Sequence, residues 1–99
     1  MKTIINMPEL VTLEKGALFK VLQVTGQGGM QMPLHYSTKE AVVIVLEGSA
    51  QLKIDEKEHL LQAGGNFIIP ARQNHSLSLK TGFKALVIMP LDSNIEFVH

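Results

Sequence analysis

Cysteine is absent from this 99-residue sequence, and so is tryptophan. Without cysteine, disulfide bonds, thiolate nucleophiles and cysteine-ligated zinc sites are all excluded. Arginine occurs once, at Arg72, and aromatic residues make up 5% of the chain. That is little material for gripping phosphates or stacking on bases, so no nucleic-acid partner is expected.

Net charge and long apolar runs are also missing. Nine basic and nine acidic residues give a formal charge of zero, so nothing draws the chain to a nucleic acid or an acidic membrane. The longest apolar run, 41–46, is far too short to cross a bilayer. The N-terminus lacks the apolar core and cleavage site of a signal peptide. We therefore expect a cytoplasmic protein with no membrane partner.

What the sequence does contain is the two-residue periodicity of β-strands. Apolar and polar residues alternate over 30–35, 50–55 and 75–80, whereas 41–46 is apolar at both parities and is predicted to be covered on both faces. Glycine and proline separate these segments. We predict no helix, a short strand near 2–5, and strands over 17–25, 29–35, 40–47, 49–54, 58–61, 66–69, 75–80 and 83–89. Many short strands in a single domain, 1–99, indicate a sandwich or barrel such as the jelly roll.

Two histidines, His35 and His75, each lie at a regular spacing from glycine or proline residues. Six residues fall on the two sequence motifs of the cupins: Gly29, His35 and Gly48 on the first, and Gly64, Pro70 and His75 on the second. The sequence therefore resembles the cupin superfamily over about residues 28–90. The resemblance implies an all-β fold, the cupin double-stranded β-helix, which is a small jelly-roll-like barrel and is often dimeric.

The spacing of these residues is also reasonable on physical grounds. Gly48 and Gly64 lie where tight turns need a positive φ or little bulk. His75 alternates in phase with Leu77 and Leu79, so it points inward if those leucines belong to the core.

The metal site that the resemblance implies is incomplete. Metal-binding cupins generally use three histidines and one glutamate, a set that suits divalent transition metals. His35 and His75 occupy two of these positions, while Ser37 and Ala41 stand at the second histidine and at the glutamate. Serine is a poor ligand and alanine is none, so a divalent transition metal is a conceivable cofactor that the residues do not favour.

Glu40 and Gln31 are the nearest substitutes for the missing ligands. Neighbouring strand residues face opposite sides of a sheet, so Glu40 reaches the lumen only if a bulge or an altered register turns it inward. Gln31 has the same parity as His35 and is predicted to add an amide oxygen to the pocket.

Arg72 and the methionines have simpler interpretations. Arg72 is predicted to lie in a solvated turn, with a pocket rim that grips a carboxylate as the alternative. Met30 and Met32 are expected to pack in the core or at an interface rather than to ligate a soft metal.

The function that these residues predict is small-molecule binding in a barrel lumen marked by His35, His75, Gln31 and Ser37. One alternative is a metal-dependent enzyme of dioxygenase or isomerase type, with a non-standard ligand set of His35 and His75, plus Glu40 if it turns inward. Another is a structural or regulatory homodimer module. We expect a homodimer because segment 41–46 and the methionine-rich strand leave apolar faces to bury.

Overall fold

The computed structural model describes residues 7–98, and the strand expected near 2–5 lies outside this range. Within 7–98 the chain forms ten β-strands and no helix: β1 (Glu9–Lys15), β2 (Phe19–Gly26), β3 (Gln31–Ser37), β4 (Ala41–Glu47), β5 (Ser49–Ile54), β6 (Lys57–Gln62), β7 (Asn66–Ile69), β8 (His75–Leu79), β9 (Phe83–Pro90) and β10 (Ile95–Phe97). A membrane-crossing helix is accordingly not found among these residues.

The strands form two antiparallel sheets of five strands each. We name each sheet by its central strand: the β9 sheet has the order β1-β2-β9-β4-β7, and the β8 sheet has the order β10-β3-β8-β5-β6. The inner faces of the two sheets pack against each other around a core that includes Val45, Ala50, Leu52 and Ala85, each at most 1% exposed. This all-β, jelly-roll-like arrangement is the architecture predicted from the periodicity.

All eight strands predicted between residues 17 and 89 are present, with boundaries within two residues of the prediction. Two further strands, β1 and β10, were not predicted. Each lies at the edge of a sheet, and along β1 only Leu10 is even partly buried. An edge strand that buries so little leaves almost no alternation in its sequence.

The outer face of β4 differs from the prediction. Ala41, Val43 and Val45 point inward and are buried, but Val42 and Ile44 on the other face are only partly buried, and Leu46 is 45% exposed. The single chain therefore covers one face of segment 41–46, not both.

Tight turns hold the strand ends in register. Gly48 and Gly64 have φ angles of 78° and 88°, as the glycine positions predicted. Gly48 also lies directly against the turn between β8 and β9, because a Cβ atom there would collide with the carbonyl oxygen of Gly82 and come within 2.6 Å of Thr81 Oγ1. Arg72, which stands where the second cupin motif has a glycine, takes a φ of 62° in spite of its side chain.

A β-bulge in β3 determines which of its residues face the lumen. Met32 pairs with Leu77 and His35 pairs with His75, so β3 has one more residue than β8 between these two pairings. The extra residue shifts the alternation, and Met32, His35 and Ser37 are all buried. Pro33 lies inside the bulge, where its missing N–H does not interrupt the ladder.

Candidate ligand site

His35 and His75 meet inside the barrel as a cross-strand pair on the β8 sheet. Both are buried, and their ring centroids are 4.2 Å apart in an edge-on arrangement. Phe97 of β10 also packs against His35, with the ring centroids 5.3 Å apart. His35 and His75 therefore lie together, as their positions in the two glycine- and proline-containing motifs predicted.

Hydrogen bonds to the backbone fix the tautomer of each ring. His35 Nδ1 lies 2.6 Å from the carbonyl oxygen of Pro33, and His75 Nδ1 lies 2.9 Å from that of Gln73. A carbonyl oxygen only accepts, so each Nδ1 carries the hydrogen and donates it. In a neutral ring Nε2 is then left with a free lone pair.

Burial keeps both rings neutral. It lowers the pKa of His35 from 6.5 to about 4, with the nearby His75 adding to the shift and the hydrogen bond to Pro33 opposing it. Burial also lowers the pKa of His75, against the hydrogen bond to Gln73. At neutral pH the site therefore holds two uncharged imidazoles.

The two rings line a partly open cavity of about 60 Å³ between the sheets. Its walls are apolar except at His35, Ser37 and His75. Ser37 Oγ donates to the carbonyl oxygen of Lys39 at 2.9 Å, so its hydrogen is also used within the protein. All three polar side chains of the cavity thus offer lone pairs and no free hydrogen.

The other residues that the sequence offered for the site lie elsewhere. Gln31, expected in the pocket, is exposed and absent from the cavity wall, because the bulge in β3 puts Met32 inside instead. Glu40 is exposed and does not turn inward, whereas Ala41 lines the cavity. Arg72 is exposed as well and does not line the cavity, which leaves it in the solvated turn and not at a carboxylate-gripping rim.

Comparison with known proteins bears on the fold. The sequence model of the family Cupin_2, the cupin domain, matches residues 21–89, which is more than half of the chain. The chain belongs to the cupin family. This match confirms the resemblance that the two motifs around His35 and His75 indicated, and it identifies the double-sheet barrel as a cupin fold. No curated protein matches the sequence significantly.

Solved structures similar to this cupin include proteins of different activities. A cupin superfamily protein from Desulfitobacterium hafniense is 18% identical, with a TM-score of 0.78 over 93% of this chain and 84% of its own. DMSP lyase DddQ from Ruegeria pomeroyi is 18% identical, with a TM-score of 0.82 over 93% of this chain. The polyketide cyclase RemF from Streptomyces resistomycificus is 21% identical, with a TM-score of 0.73 over 85% of this chain. This cupin spans 52% of the lyase and 63% of the cyclase, and identities this low show a shared fold only.

The donor set of this cupin does not fit a tightly held divalent metal ion. Within 7–98 no three histidine, cysteine, aspartate or glutamate side chains converge. His35 and His75 supply two neutral nitrogens, and Ser37 and Ala41 supply neither the third nitrogen nor a carboxylate. Catalytic metal sites in proteins generally need at least three protein ligands.

Residues from the C-terminal strands complete the site and were missed in the sequence. Ile95 and Met89 line the cavity, and Phe97 covers His35. Ile95 and Phe97 alternate with Glu96, but a strand of three residues is too short for that signal to stand out.

The neutral state of His35 predicts that acid destabilises the protein. In the unfolded chain His35 has its ordinary pKa of 6.5, so below that pH the unfolded state binds a proton that the folded state accepts only near pH 4. The contribution of a neutral His35 to the free energy of unfolding is therefore fully present above pH 6.5, and it is lost as the pH falls toward 4. We expect the free energy of unfolding to drop by about 2 kcal/mol between pH 7 and pH 4.5 through His35 alone.

Urea unfolding of wild type and of His35→Gln across this pH range measures the effect. His59→Gln is the matched control, because His59 is only half-buried, packs against Phe67 and lies outside the cavity. Equal pH dependence in wild type and His35→Gln would show that His35 is not held neutral by the fold.

Proposed function

We propose that this cupin binds a small, uncharged, mostly apolar molecule that donates hydrogen bonds to the paired Nε2 atoms of His35 and His75. The observation that carries the proposal is the use of both Nδ1 hydrogens by the backbone carbonyls of Pro33 and Gln73. It leaves one acceptor nitrogen on each of two rings whose centroids lie 4.2 Å apart, in a cavity with mostly apolar walls. The binding is non-covalent, with no metal in the pocket.

The hydrogen-bond character of the cavity selects for donors. His35, His75 and Ser37 each use their own hydrogen on a backbone carbonyl. A hydroxyl or amide N–H of the ligand can donate a hydrogen bond to these lone pairs. A ligand that only accepts hydrogen bonds is buried without a hydrogen-bond partner. An unpaired buried polar group costs about 1–3 kcal/mol, which is enough to discriminate between the two kinds of ligand.

Charge selects against ionic ligands. No lysine or arginine side chain lines the cavity, so a carboxylate or phosphate would meet lone pairs and apolar walls. An ammonium group would find acceptors but no carboxylate to balance its charge. Burying an unpaired ion costs more than burying any neutral polar group, so the favoured ligand is an alcohol, phenol or amide.

The volume of the cavity limits the size of the ligand. About 60 Å³ is the room that roughly four to six water molecules occupy, at 10–15 Å³ each. A molecule of about five heavy atoms therefore fits without movement of the walls. Such a ligand binds weakly, with a Kd on the order of 1 mM.

Four probes of matched size test this proposal: butan-1-ol, pentane, propionate and butylammonium. We expect butan-1-ol to bind and to move the ¹⁵N resonance of an Nε2 atom, because its single hydroxyl hydrogen is donated to one of these two nitrogens at a time. Pentane should bind without moving either resonance, and the two ions should not bind. The variant carrying both His35→Leu and His75→Leu should bind butan-1-ol about fivefold more weakly, the equivalent of one hydrogen bond of about 1 kcal/mol, and His59→Leu should leave the binding unchanged.

Two results would contradict the proposal. The first is an affinity for propionate equal to or above that for butan-1-ol, which would indicate a positive charge at the site. The second is equal affinity of butan-1-ol for wild type and for the variant carrying both His35→Leu and His75→Leu. In that case the imidazoles would not be the acceptors.

A further inference from the structure

The cavity between the sheets is least covered at one end of the barrel. Most of its wall residues are buried, and the partly exposed ones are Leu10, Leu77, Val87 and Ile95. All of these except Leu77 pack against a single buried cluster that contains Ala41 and Met89. The opening of the cavity therefore lies at the end of the barrel where Ala41 stands.

Two edge strands flank this end. Leu10 lies on β1, at the edge of the β9 sheet, and Ile95 lies on β10, at the edge of the β8 sheet. The other two edge strands, β6 and β7, are joined by a short turn, so β1 and β10 share the opposite side of the barrel. Because they belong to different sheets, no ladder of backbone hydrogen bonds joins β1 to β10 within residues 7–98. Thr12 of β1 pairs with the buried Leu22 and is nevertheless exposed, which places the entrance of the cavity between β1 and β10.

The closed barrel gives a ligand almost no access to the two histidines. His35 is 5% exposed and His75 is 4% exposed. Ile95 lines the cavity and Phe97 packs against the ring of His35, so strand β10 covers the site. A close-packed interior has few voids larger than a water molecule. A larger molecule therefore reaches the acceptor nitrogens only if part of the wall moves.

Strand β10 is the most weakly held part of this wall. Three of its residues, 95–97, pair with β3, whereas β1 makes six pairings with β2. One further hydrogen bond, from the amide of Val98 to the carbonyl oxygen of Leu34, follows these three pairings. Local opening costs least where a strand has few hydrogen bonds and little buried surface. Both conditions hold here, since Ile95 and Phe97 are only partly buried.

The segment just before β10 is held firmly. Ser93 is fully buried, and its hydroxyl oxygen accepts a hydrogen bond from the amide of Lys39 at 3.3 Å. The ammonium group of Lys20 donates to the carbonyl oxygen of Ser93 at 2.8 Å, and the amide of Asn94 donates to Thr38 Oγ1 at 2.9 Å. These contacts fix the chain at one end of the strand and make this end a pivot.

We propose that β10 is a gate of the cavity, which opens by separating from β3 while the chain stays fixed at Ser93. Opening moves Ile95 and Phe97 away together and lets a ligand pass between β1 and β10 to His35 and His75. Closing returns both side chains and shuts the bound molecule in the cavity. The gate rests on the small-molecule binding proposed above. It changes the rate of that binding and not its affinity, because the closed complex is the same whatever the rate of opening.

A disulfide bond between β10 and β3 tests the gate. Tyr36 and Glu96 pair directly and, by strand alternation, point out of the barrel. The Cα atoms of such a pair are about 5 Å apart, which suits a disulfide. In the variant Tyr36→Cys with Glu96→Cys the two new thiols are the only ones, since the chain has no cysteine. The matched control is Lys53→Cys with Glu58→Cys, a pair across β5 and β6 at the other edge of the same sheet.

NMR exchange measurements with butan-1-ol and pentane give the rates. We expect the oxidised β10–β3 disulfide to slow the dissociation of both probes by about tenfold or more and to leave their Kd within about twofold of wild type. Reducing the disulfide should restore the wild-type rate, and the oxidised control disulfide should not change it. An unchanged rate in the oxidised variant, or equal slowing by the control disulfide, would overturn the proposal.

Phe97→Ala tests the gate without a new covalent bond, so it keeps the proposal testable if the disulfide variant does not fold. It removes the ring that packs against His35. Aromatic contacts of this kind contribute about 1 kcal/mol, so both probes should dissociate about fivefold faster. Val98→Ala, at the exposed neighbouring position, should leave the rate unchanged. The same dissociation rate in Phe97→Ala and wild type would contradict the proposal.

Pentane and hydrogen exchange separate a failure of the gate from a failure of the proposed function. Pentane makes no hydrogen bond, so its rate of entry does not depend on acceptor nitrogens. If neither probe binds, the small-molecule proposal fails and amide hydrogen exchange decides the gate alone. We expect the amide of Val98 to exchange about tenfold or more faster than the amide of Leu79, which donates to the carbonyl oxygen of Met30. Equal exchange at these two amides would show that β10 opens only when the whole protein unfolds, and there would then be no gate.

Discussion

Replacing Gly48 with alanine lowers the free energy of unfolding by about 3 kcal/mol or more. The φ of 78° at this position costs an alanine about 1–2 kcal/mol. The new methyl group would also collide with the carbonyl oxygen of Gly82 and approach Thr81 Oγ1 to 2.6 Å, and overpacking of this kind costs about 1–3 kcal/mol. Thermal unfolding should show a loss of roughly 12 °C or more in Tm.

Gly64→Ala is the matched control for this substitution. Gly64 has a φ of 88°, but a Cβ atom there meets no atom within 4 Å. Only the backbone strain remains, so we expect a loss of about 1–2 kcal/mol. Equal losses in the two variants would mean that the contact between Gly48 and the turn between β8 and β9 does not matter for stability.

Restoring the missing ligands should give this cupin a metal site. In the variant Ser37→His with Ala41→Glu, three imidazoles and a carboxylate would line the cavity in place of two imidazoles. We expect the affinity for Zn²⁺ or Mn²⁺ to rise about 1,000-fold, or about 4 kcal/mol, because the set then has four ligands of the types that divalent ions prefer. Isothermal titration of untagged protein measures the change.

Two controls accompany the restored site. Ser37→His with Ala41→Gln has the same bulk without the carboxylate, and Glu40→Gln removes the exposed neighbour of Ala41 that the sequence offered as a substitute ligand. The first variant should gain much less affinity for the metal ion, and the second should bind the metal ion as weakly as wild type does. If the bulk of both new side chains prevents folding, Ala41→Glu alone still supplies a third ligand. A wild type that already binds as tightly as the restored variant would contradict the account.

The part of the site that could be predicted from the sequence is the part fixed by turns. Gly48, Gly64 and Pro70 mark the positions where strands end, and the distances along the chain from these turns to His35 and His75 determine where the imidazoles fall. Both histidines do reach the lumen together. The match of these residues to the two cupin motifs carried this prediction, and the positive φ angles of Gly48 and Gly64 agree with the turns that the spacing required.

Gln31 shows where alternation alone fails. Counting by twos from His35 puts Gln31 in the pocket, but the bulge between Met32 and His35 shifts the count by one residue. A bulge is set by pairing with the neighbouring strand β8, and that pairing is not visible in β3 itself. Pro33 was the available signal, since proline within a strand marks an edge or a bulge.

The chemical state of the site could not be predicted either. The roles of His35 and His75 depend on the carbonyls of Pro33 and Gln73, which are backbone groups present at every position of any sequence. Only the folded geometry shows that these carbonyls take the Nδ1 hydrogens. Burial then lowers both pKa values and makes the pair a set of neutral acceptors.

The central claim is that His35 and His75 are neutral, with hydrogen on Nδ1 and a bare Nε2, and do not hold a divalent metal. The ¹⁵N spectrum of the histidine rings in untagged protein at pH 7 tests this directly, before and after addition of Zn²⁺ buffered at about 1 µM free ion. The account predicts one protonated and one bare nitrogen in each of the two rings, and no movement of either Nε2 resonance on adding Zn²⁺. Protonation of both nitrogens in either ring, or a stoichiometric shift of both Nε2 resonances by Zn²⁺, would contradict it.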